Sequence, residues 1–355
     1  MSDRSSRILI YGATGYTGRI IAELAKERGL DVELAGRNAS SVAALAEGLG
    51  LPWRAFDLDA AAAHLHGVGV VLHCAGPFVR TSRPMIQACL ATAVHYLDIT
   101  GEVAVFESAA KVDAKAKAAG ITVLPGVGFD VVPSDCLAAF VAAALPGATR
   151  LHLAFRSQGG VSHGTATTAL TALGEGSVMR RDGAIVRVPL AHSVRMVDFG
   201  NGPRRVMSIP WGDVSTAFRS TGIGTIVTHM ATPPRLVTLA RISNHVGPLL
   251  RHPWVRRALQ SRVDAAPAGP SASRRSRGKS DVWAEASHPD GRVATATLQC
   301  PEGYNLTADA ALRIAVRVAA GEAPTGFQTP ATAFGADLVL TCDGVSRSAC
   351  VVRSA

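Results

Sequence analysis

The sequence predicts an α/β protein: a doubly wound parallel sheet in the N-terminal part and a domain of α+β type behind it. Three observations carry this. As far as Leu145, strand-like and helix-like segments alternate with short connections. The first strand runs into a turn, "YGATGYTGR" (Tyr11–Arg19), with glycines at 12, 15 and 18. After Pro146-Gly147 the texture changes to shorter alternating stretches separated by irregular loops. The 355 residues are more than one core comfortably serves. The expected division is 1–146, 147–304 with a mobile loop near 265–279, and 305–355 as a helix and strand, the helix packing back on the first domain.

Taken in order, the expected strands are Arg7–Tyr11, Asp31–Ala35, Trp53–Asp57, Val68–Cys74, His95–Ile99 and Ile121–Pro125. Helices are expected at Thr17–Arg28, Ser40–Leu49, Ser82–Ala93, Val103–Ala119 and Ser134–Leu145, with Ser40 and Ser134 read as caps whose hydroxyls accept first-turn amides. Beyond the boundary, Arg150–Arg156, Ala184–Val188 and Asp281–Ala286 alternate as strands do. Pro233–Arg262 reads as helix interrupted at Pro248 and Pro253, Ala265–Lys279 as loop, and Leu306–Ala320 as helix.

Composition narrows the class. Hydrophobic residues make up 48% and charged residues 18%, enough for a large core. The start lacks the apolar run of a signal peptide, and no window reaches the ~18 apolar residues of a transmembrane span, so a cytoplasmic protein is expected. Six scattered cysteines without a C-x-x-C pair indicate neither a metal site nor a disulfide framework. The formal charge of +9 is concentrated between Arg251 and Lys279. Without interleaved aromatics that patch argues against nucleic acid, but it could attract another anionic partner. A homodimer is one assembly the sequence allows.

The glycine turn joins a strand to a helix N-terminus, where free amides and the helix dipole favour an anion and glycine lets the backbone approach a pyrophosphate. Gly12, Ala13, Thr14, Gly15, Tyr16 and Thr17 are therefore candidate diphosphate contacts in a Rossmann-type site. An NAD site normally carries an acid ~20 residues past the glycines. Here that place holds Gly36-Arg37-Asn38, and a guanidinium there can stack on adenine and pair with a 2′-phosphate, which favours NADP(H). Asp57, ending strand three, is placed to approach the adenine edge.

Ligands of such sheets lie beyond the carboxyl ends of the strands. This brings Ala75, Gly76 and Pro77, then Asp98 and Glu102, then Asp130 toward the nicotinamide. Asp98 and Asp130 are candidate proton donors; alternatively Asp98 caps the next helix and Asp130 holds a loop. In "SQGGVSHGTATT" (Ser157–Thr168), His163 is either a proton donor or substrate ligand, or part of a turn leading into a helix, and Thr165 is a further candidate for holding an enolate oxygen. No Tyr-x-x-x-Lys pair and no hydrolytic triad is present.

In that order "GATGYTG", "AGRN", "CAGPF", "YLDITGE" and "PGVGFDVVPSD", with "PEGYNLTA" and "TGFQTPATAFGAD" near the end, resemble the saccharopine dehydrogenase-like oxidoreductases, especially the bacterial branch with trans-acting enoyl reductases. Residues from about 175 to 280 depart from that pattern. The resemblance implies an NADP-binding Rossmann domain, a C-terminal α+β substrate domain and a small-molecule or carrier-bound acyl substrate. By motif it puts Gly12, Thr14, Gly15, Tyr16 and Thr17 on the pyrophosphate, Arg37 and Asn38 on the 2′-phosphate, and Ala75, Gly76 and Pro77 beside the nicotinamide. The expected reaction is hydride transfer from NADPH to a polarised C=C or C=O. An enoyl thioester on an acidic acyl carrier protein would suit the basic 251–279 region. The alternatives are an imine reductase or amino-acid-type dehydrogenase, and a non-catalytic NADP(H)-binding redox sensor.

Overall fold

A computed structural model describes residues 5–158, 160, 162–164, 166–167, 176–246 and 252–354. The chain forms two compact units, Met1–Val132 with Tyr304–Asp343, and Pro133–Gly303 with Gly344–Ala355.

The first unit is a seven-stranded parallel sheet. In chain order its elements are β1 (Ile8–Tyr11), α1 (Tyr16–Glu27), β2 (Val32–Gly36), α2 (Ala39–Leu49), β3 (Trp53–Ala55), β4 (Val70–His73), α3 (Phe78–Thr92), β5 (His95–Asp98), α4 (Val103–Ala110), α5 (Asp113–Ala118) and β6 (Thr122–Leu124). The strands lie in the order β3-β2-β1-β4-β5-β6, and a two-residue strand at Gly326–Phe327 extends β6 in parallel. Every residue of β1, β2, β4, β5 and β6 is buried. This is why β1, β4 and β6 read as largely apolar runs in the sequence: crossover helices leave neither face of a parallel sheet in water. β1 pairs Ile8–Tyr11 with Val32–Ala35 on one side and Val70–His73 on the other. The strand order reverses there, opening a crevice beyond Tyr11 and His73.

Three local expectations need correction. α2 is capped by Asn38, whose Oδ1 accepts from the Ser41 amide at 3.0 Å; Ser40 lies inside the helix and donates its own hydroxyl to that oxygen. Ser134 also lies inside a helix, α6 (Val132–Ala144), where its hydroxyl donates to Asp213 at 2.9 Å. The single helix expected at 103–119 is two, because the Asp113 carboxylate at the start of α5 accepts the Phe327 amide of the edge strand at 2.8 Å. The helix Gly303–Ala319 belongs to this unit from Tyr304 onward and buries Leu306, Leu312 and Ile314. Its Asp309 pairs with Arg28 at the end of α1 at 2.6 Å.

The second unit is built on a mixed sheet. After α6 come β7 (Arg150–Ser157), β8 (Ser177–Arg181), β9 (Ala184–Val188), β10 (Val194–Asp198), β11 (Pro203–Ser208), α7 (Asp213–Thr221), β12 (Thr225–Ala231), α8 (Pro234–Ser243), α9 (Pro253–Asp264), α10 (Ala272–Arg277), β13 (Lys279–Ser287) and β14 (Val293–Pro301). The order β10-β11-β12-β7-β13-β14 contains one parallel pair, β12 with β7, among antiparallel ones. Ser134 and Asp135 of α6 are tied to Asp213 and Ser220 of α7. The stretch 265–279, expected as loop, contains α10, started by the Ser271 hydroxyl accepting the Arg274 amide. Among the described residues no helix is long and apolar enough to cross a membrane.

Candidate functional site

At the first junction the chain leaves β1 at the buried Tyr11 and turns through Gly12 at φ +86°, with the amides of Gly12 and Ala13 both donating to the Ala35 carbonyl. A Cβ on Gly12 would lie 2.7 Å from the Ala75 nitrogen, so only glycine lets the turn touch the end of β4. A Cβ on Gly18 would strike the Gly12 carbonyl, so this glycine sets the close packing of α1 on the turn. Gly15 is the cap residue of α1 in an ordinary extended conformation and, being glycine, brings no capping side chain of its own, and the first turn holds no acid. Ala13 is buried and can offer only backbone, while Thr14 and Gly15 are exposed and Tyr16 and Thr17 half-buried. The Tyr16 ring meets Tyr304 edge-on at 4.9 Å.

At the end of β2, Gly36 is buried and Arg37 is exposed. The Tyr11 phenol donates to the Phe56 carbonyl and is pushed up to about 12, chiefly by burial; the charge of Arg37 lowers it and that of Asp57 raises it. Arg37 and Asp57 thus act on the same corner of the sheet. Asn38 has its Oδ1 engaged in capping α2, which leaves its Nδ2 hydrogens as the part of that side chain able to donate to an anion.

The second junction, Cys74 to Phe78, is built differently. Its Gly76–Pro77 bond is cis, and the Thr81 hydroxyl donates to the Ala75 carbonyl at 2.6 Å. The N-terminus of α3 is closed by the Glu102 carboxylate, which accepts the Phe78 amide at 3.1 Å and the Val79 amide at 3.2 Å. Beneath it His73 is fully buried, neither ring nitrogen has a hydrogen-bond partner, and burial lowers its pKa to about 3. The neutral ring stacks on Tyr11 at 5.5 Å. The sequence shows only an apolar strand ending in histidine and gives no sign of this isolation.

The two aspartates expected toward the nicotinamide differ sharply. Asp98 is wholly buried, accepting from the Tyr96 hydroxyl at 2.7 Å, the Thr100 amide at 2.9 Å and the Gly126 amide at 3.0 Å. Burial raises its carboxyl to about 6 against the opposing pull of those bonds. It clamps the loops after β5 and β6 together. Asp130 is half-buried, has no hydrogen-bond partner among the described residues and is raised to about 7 by burial alone. Gly101 makes room for it: a Cβ there would lie 2.7 Å from Asp130 Oδ2. Thr307 holds this loop, accepting the Phe129 amide at 3.0 Å.

His163 belongs to the second unit, where its amide donates to the Ala268 carbonyl and its Nε2 lies 2.5 Å from the Ala266 carbonyl. Its ring is therefore engaged with the 266–268 backbone. Thr165 and Arg251 lie outside the described residues.

Comparison with known proteins agrees with this geometry. Residues 8–124 match the saccharopine dehydrogenase NADP binding domain family. A Mycobacterium tuberculosis protein with the provisional name trans-acting enoyl reductase is 34% identical over 191 residues, covering 49% of this chain and 46% of that protein. A Mycobacterium leprae trans-acting enoyl reductase is 34% identical over 143 residues, 37% of this chain and 34% of its own. The chain thus spans about half, or less, of the length of the curated relatives it matches. Among solved structures, apo saccharopine dehydrogenase (L-Glu forming) from Saccharomyces cerevisiae superimposes with a TM-score of 0.63 over 97% of this chain and 100% of that one, at 12% identity. An amine dehydrogenase from Mycobacterium smegmatis gives a TM-score of 0.51 over 92% and 95%, at 14% identity. At these identities the two structures bear on the fold alone.

Proposed function

We propose, from the match of residues 8–124 to the saccharopine dehydrogenase NADP binding domain family, that the chain is an NADPH-dependent reductase acting on a polarised C=C or C=O, with an enoyl thioester as the first substrate to try. The observation that carries this reading is the glycine-capped, acid-free N-terminus of α1 on the same unit as the exposed Arg37. The amides of that end receive the diphosphate, and Arg37 takes the 2′-phosphate that distinguishes NADPH from NADH. Asp57 lies toward the adenine, and Ala75, Gly76 and Pro77 line the nicotinamide side without bulk.

NADPH held by these residues would supply a hydride from C4 of its dihydronicotinamide to the β-carbon of an enoyl group, giving NADP⁺ and an enolate. Asp130 then delivers its carboxyl proton to the α-carbon and is reprotonated from solvent. A carboxyl held near neutrality without a partner suits that task. Asp98, with its bonds already made, acts as a positioning residue for the loops that carry Gly101 and Asp130. An unengaged acid at this place also favours turnover over a sensor role.

The substrate class follows the names of the relatives, and an acidic acyl carrier as its bearer follows the run of arginines in α9 and α10. The same reading puts the reaction in the cytoplasm. Stopped-flow or steady-state NADPH oxidation with matched enoyl-thioester, ketone and imine panels tests it. Turnover of the enoyl series that is depressed in Asp130→Asn supports the proposal, and turnover confined to imines replaces it with the amino-acid-type alternative.

A further inference from the structure

The mixed sheet of the second unit carries an open cleft of about 610 Å³, lined by Arg150, His152, His192, Ser193, Thr225 and Arg241, with Met179, Val194 and Val227 as its apolar part. The placement follows from strand register. Arg150 and His152 stand two residues apart on β7 and so share a face, and the parallel partner β12 sets Thr225 beside Arg150 and Val227 beside His152. His192 and Ser193 come from the approach to β10, and Arg241 from α8.

Among the described residues no carboxylate lines this cleft. The side chains of Arg150 and Arg241 have no ion pair or hydrogen bond among the described residues. Nearby, Arg195 is held through Nη2 by Glu285 at 2.7 Å, while its Nη1 is buried without a partner. His152 Nδ1 is also buried and unpartnered. Burial first, then the charges of Arg195, His229, Arg150 and His192, lowers His152 to about 3, so the ring is a neutral hydrogen-bonding group in a cationic wall.

We propose that this cleft binds a phosphate ester. Two guanidinium forks and the hydroxyl of Thr225 offer more donors than a carboxylate has oxygens, and they suit the terminal oxygens of a phosphate group. The volume far exceeds that of phosphate, so the anion is one end of a larger molecule. Two sources share this chemistry: the phosphate of a phosphopantetheine-type thioester handle, which rests on the reductase reading, and a separate small phosphorylated metabolite, which does not. None of the dinucleotide-binding residues takes part.

The test is calorimetric titration of the full chain with NADP⁺ saturating, using inorganic phosphate, pantetheine 4′-phosphate and phosphate-free pantetheine. Both phosphates should bind and pantetheine should not. The double substitution Arg150→Gln with Arg241→Gln should weaken phosphate binding by roughly a hundredfold, about tenfold for each fork lost, with melting temperature and NADP⁺ affinity unchanged. Arg150→Lys should retain part of the binding. Pantetheine 4′-phosphate binding at least about tenfold more tightly than inorganic phosphate assigns the handle as source, and equal affinities assign a separate metabolite. Either result supports the cleft as a phosphate site. Absence of phosphate binding in the wild type, or full binding in the folded double variant, overturns the proposal. Because the readout needs no turnover, failure of the reductase reading would leave it standing.

Discussion

The two strand-to-helix junctions flanking the crevice of the parallel sheet look alike in outline and are opposite in electrostatics. The N-terminus of α1 starts from a glycine cap and has no acid in its first turn. The end of α3 is filled by Glu102, which accepts the first two amides and places a carboxylate against the positive end of the dipole. A helix N-terminus attracts anions by default; one of these ends carries no acid in its first turn, and the other is neutralised from within. The same contrast separates Asp98, with three donors around it, from Asp130, with none.

The largest effect should come from closing the open junction sterically. Gly12→Ala forces a non-glycine residue into φ +86° with its Cβ 2.7–2.9 Å from three atoms of Ala75. Fluorescence titration should show NADPH affinity reduced more than about a hundredfold, with stability lower by about 2–4 kcal/mol.

Next comes Asp130→Asn, which leaves shape but removes the proton. Turnover should fall about a hundredfold. The wild-type rate should decline as pH rises through about 7, where the donor ionises, and the variant should lose that limb. The raised carboxyl also has a stability consequence. Its contribution is present in full below the ordinary aspartate range and is lost as pH rises to about 7, so the melting temperature of the variant should fall less than that of the wild type between pH 5 and 8.

Thr17→Glu would make the first junction resemble the second by putting an acid in the first turn of α1. NADPH binding should weaken by roughly tenfold while the helix gains about 0.3–1 kcal/mol, so affinity and melting temperature should move in opposite directions. The smallest effect is the reverse exchange: Glu102→Gln keeps a carbonyl acceptor but removes the charge, and thermal denaturation should show a loss of about 1 kcal/mol.

What the sequence disclosed follows the same division between local and distant causes. The six parallel strands were legible because short strand-like segments alternate with helix-like ones over short connections, and their expected limits differ from the observed ones by at most two residues at either end. The glycine turn was legible because backbone geometry requires those residues. The Asn38 cap was misread because Asn38, Ser40 and Ser41 all suit that position, and only the geometry selects among them. The break between α4 and α5 depends on an Asp113 contact with Phe327, and the seventh strand is too short to show alternation. Glu102 and His73 were hidden for the same reason: one acts on a helix 24 residues away, and the other is isolated by rings from neighbouring strands. In the second unit β8, β10 and β11 alternate over only five or six residues, so the basic cleft beside them could not be anticipated.

The most direct test is a paired titration of NADPH and NADH with the wild type and with Arg37→Asp. If the open helix end grips the diphosphate and the guanidinium reads the 2′-phosphate, the wild type should favour NADPH by about ten- to a hundredfold, and the variant should lose or reverse that preference while retaining NADH binding. Equal affinities in the wild type, or an unchanged preference in the variant, would contradict it.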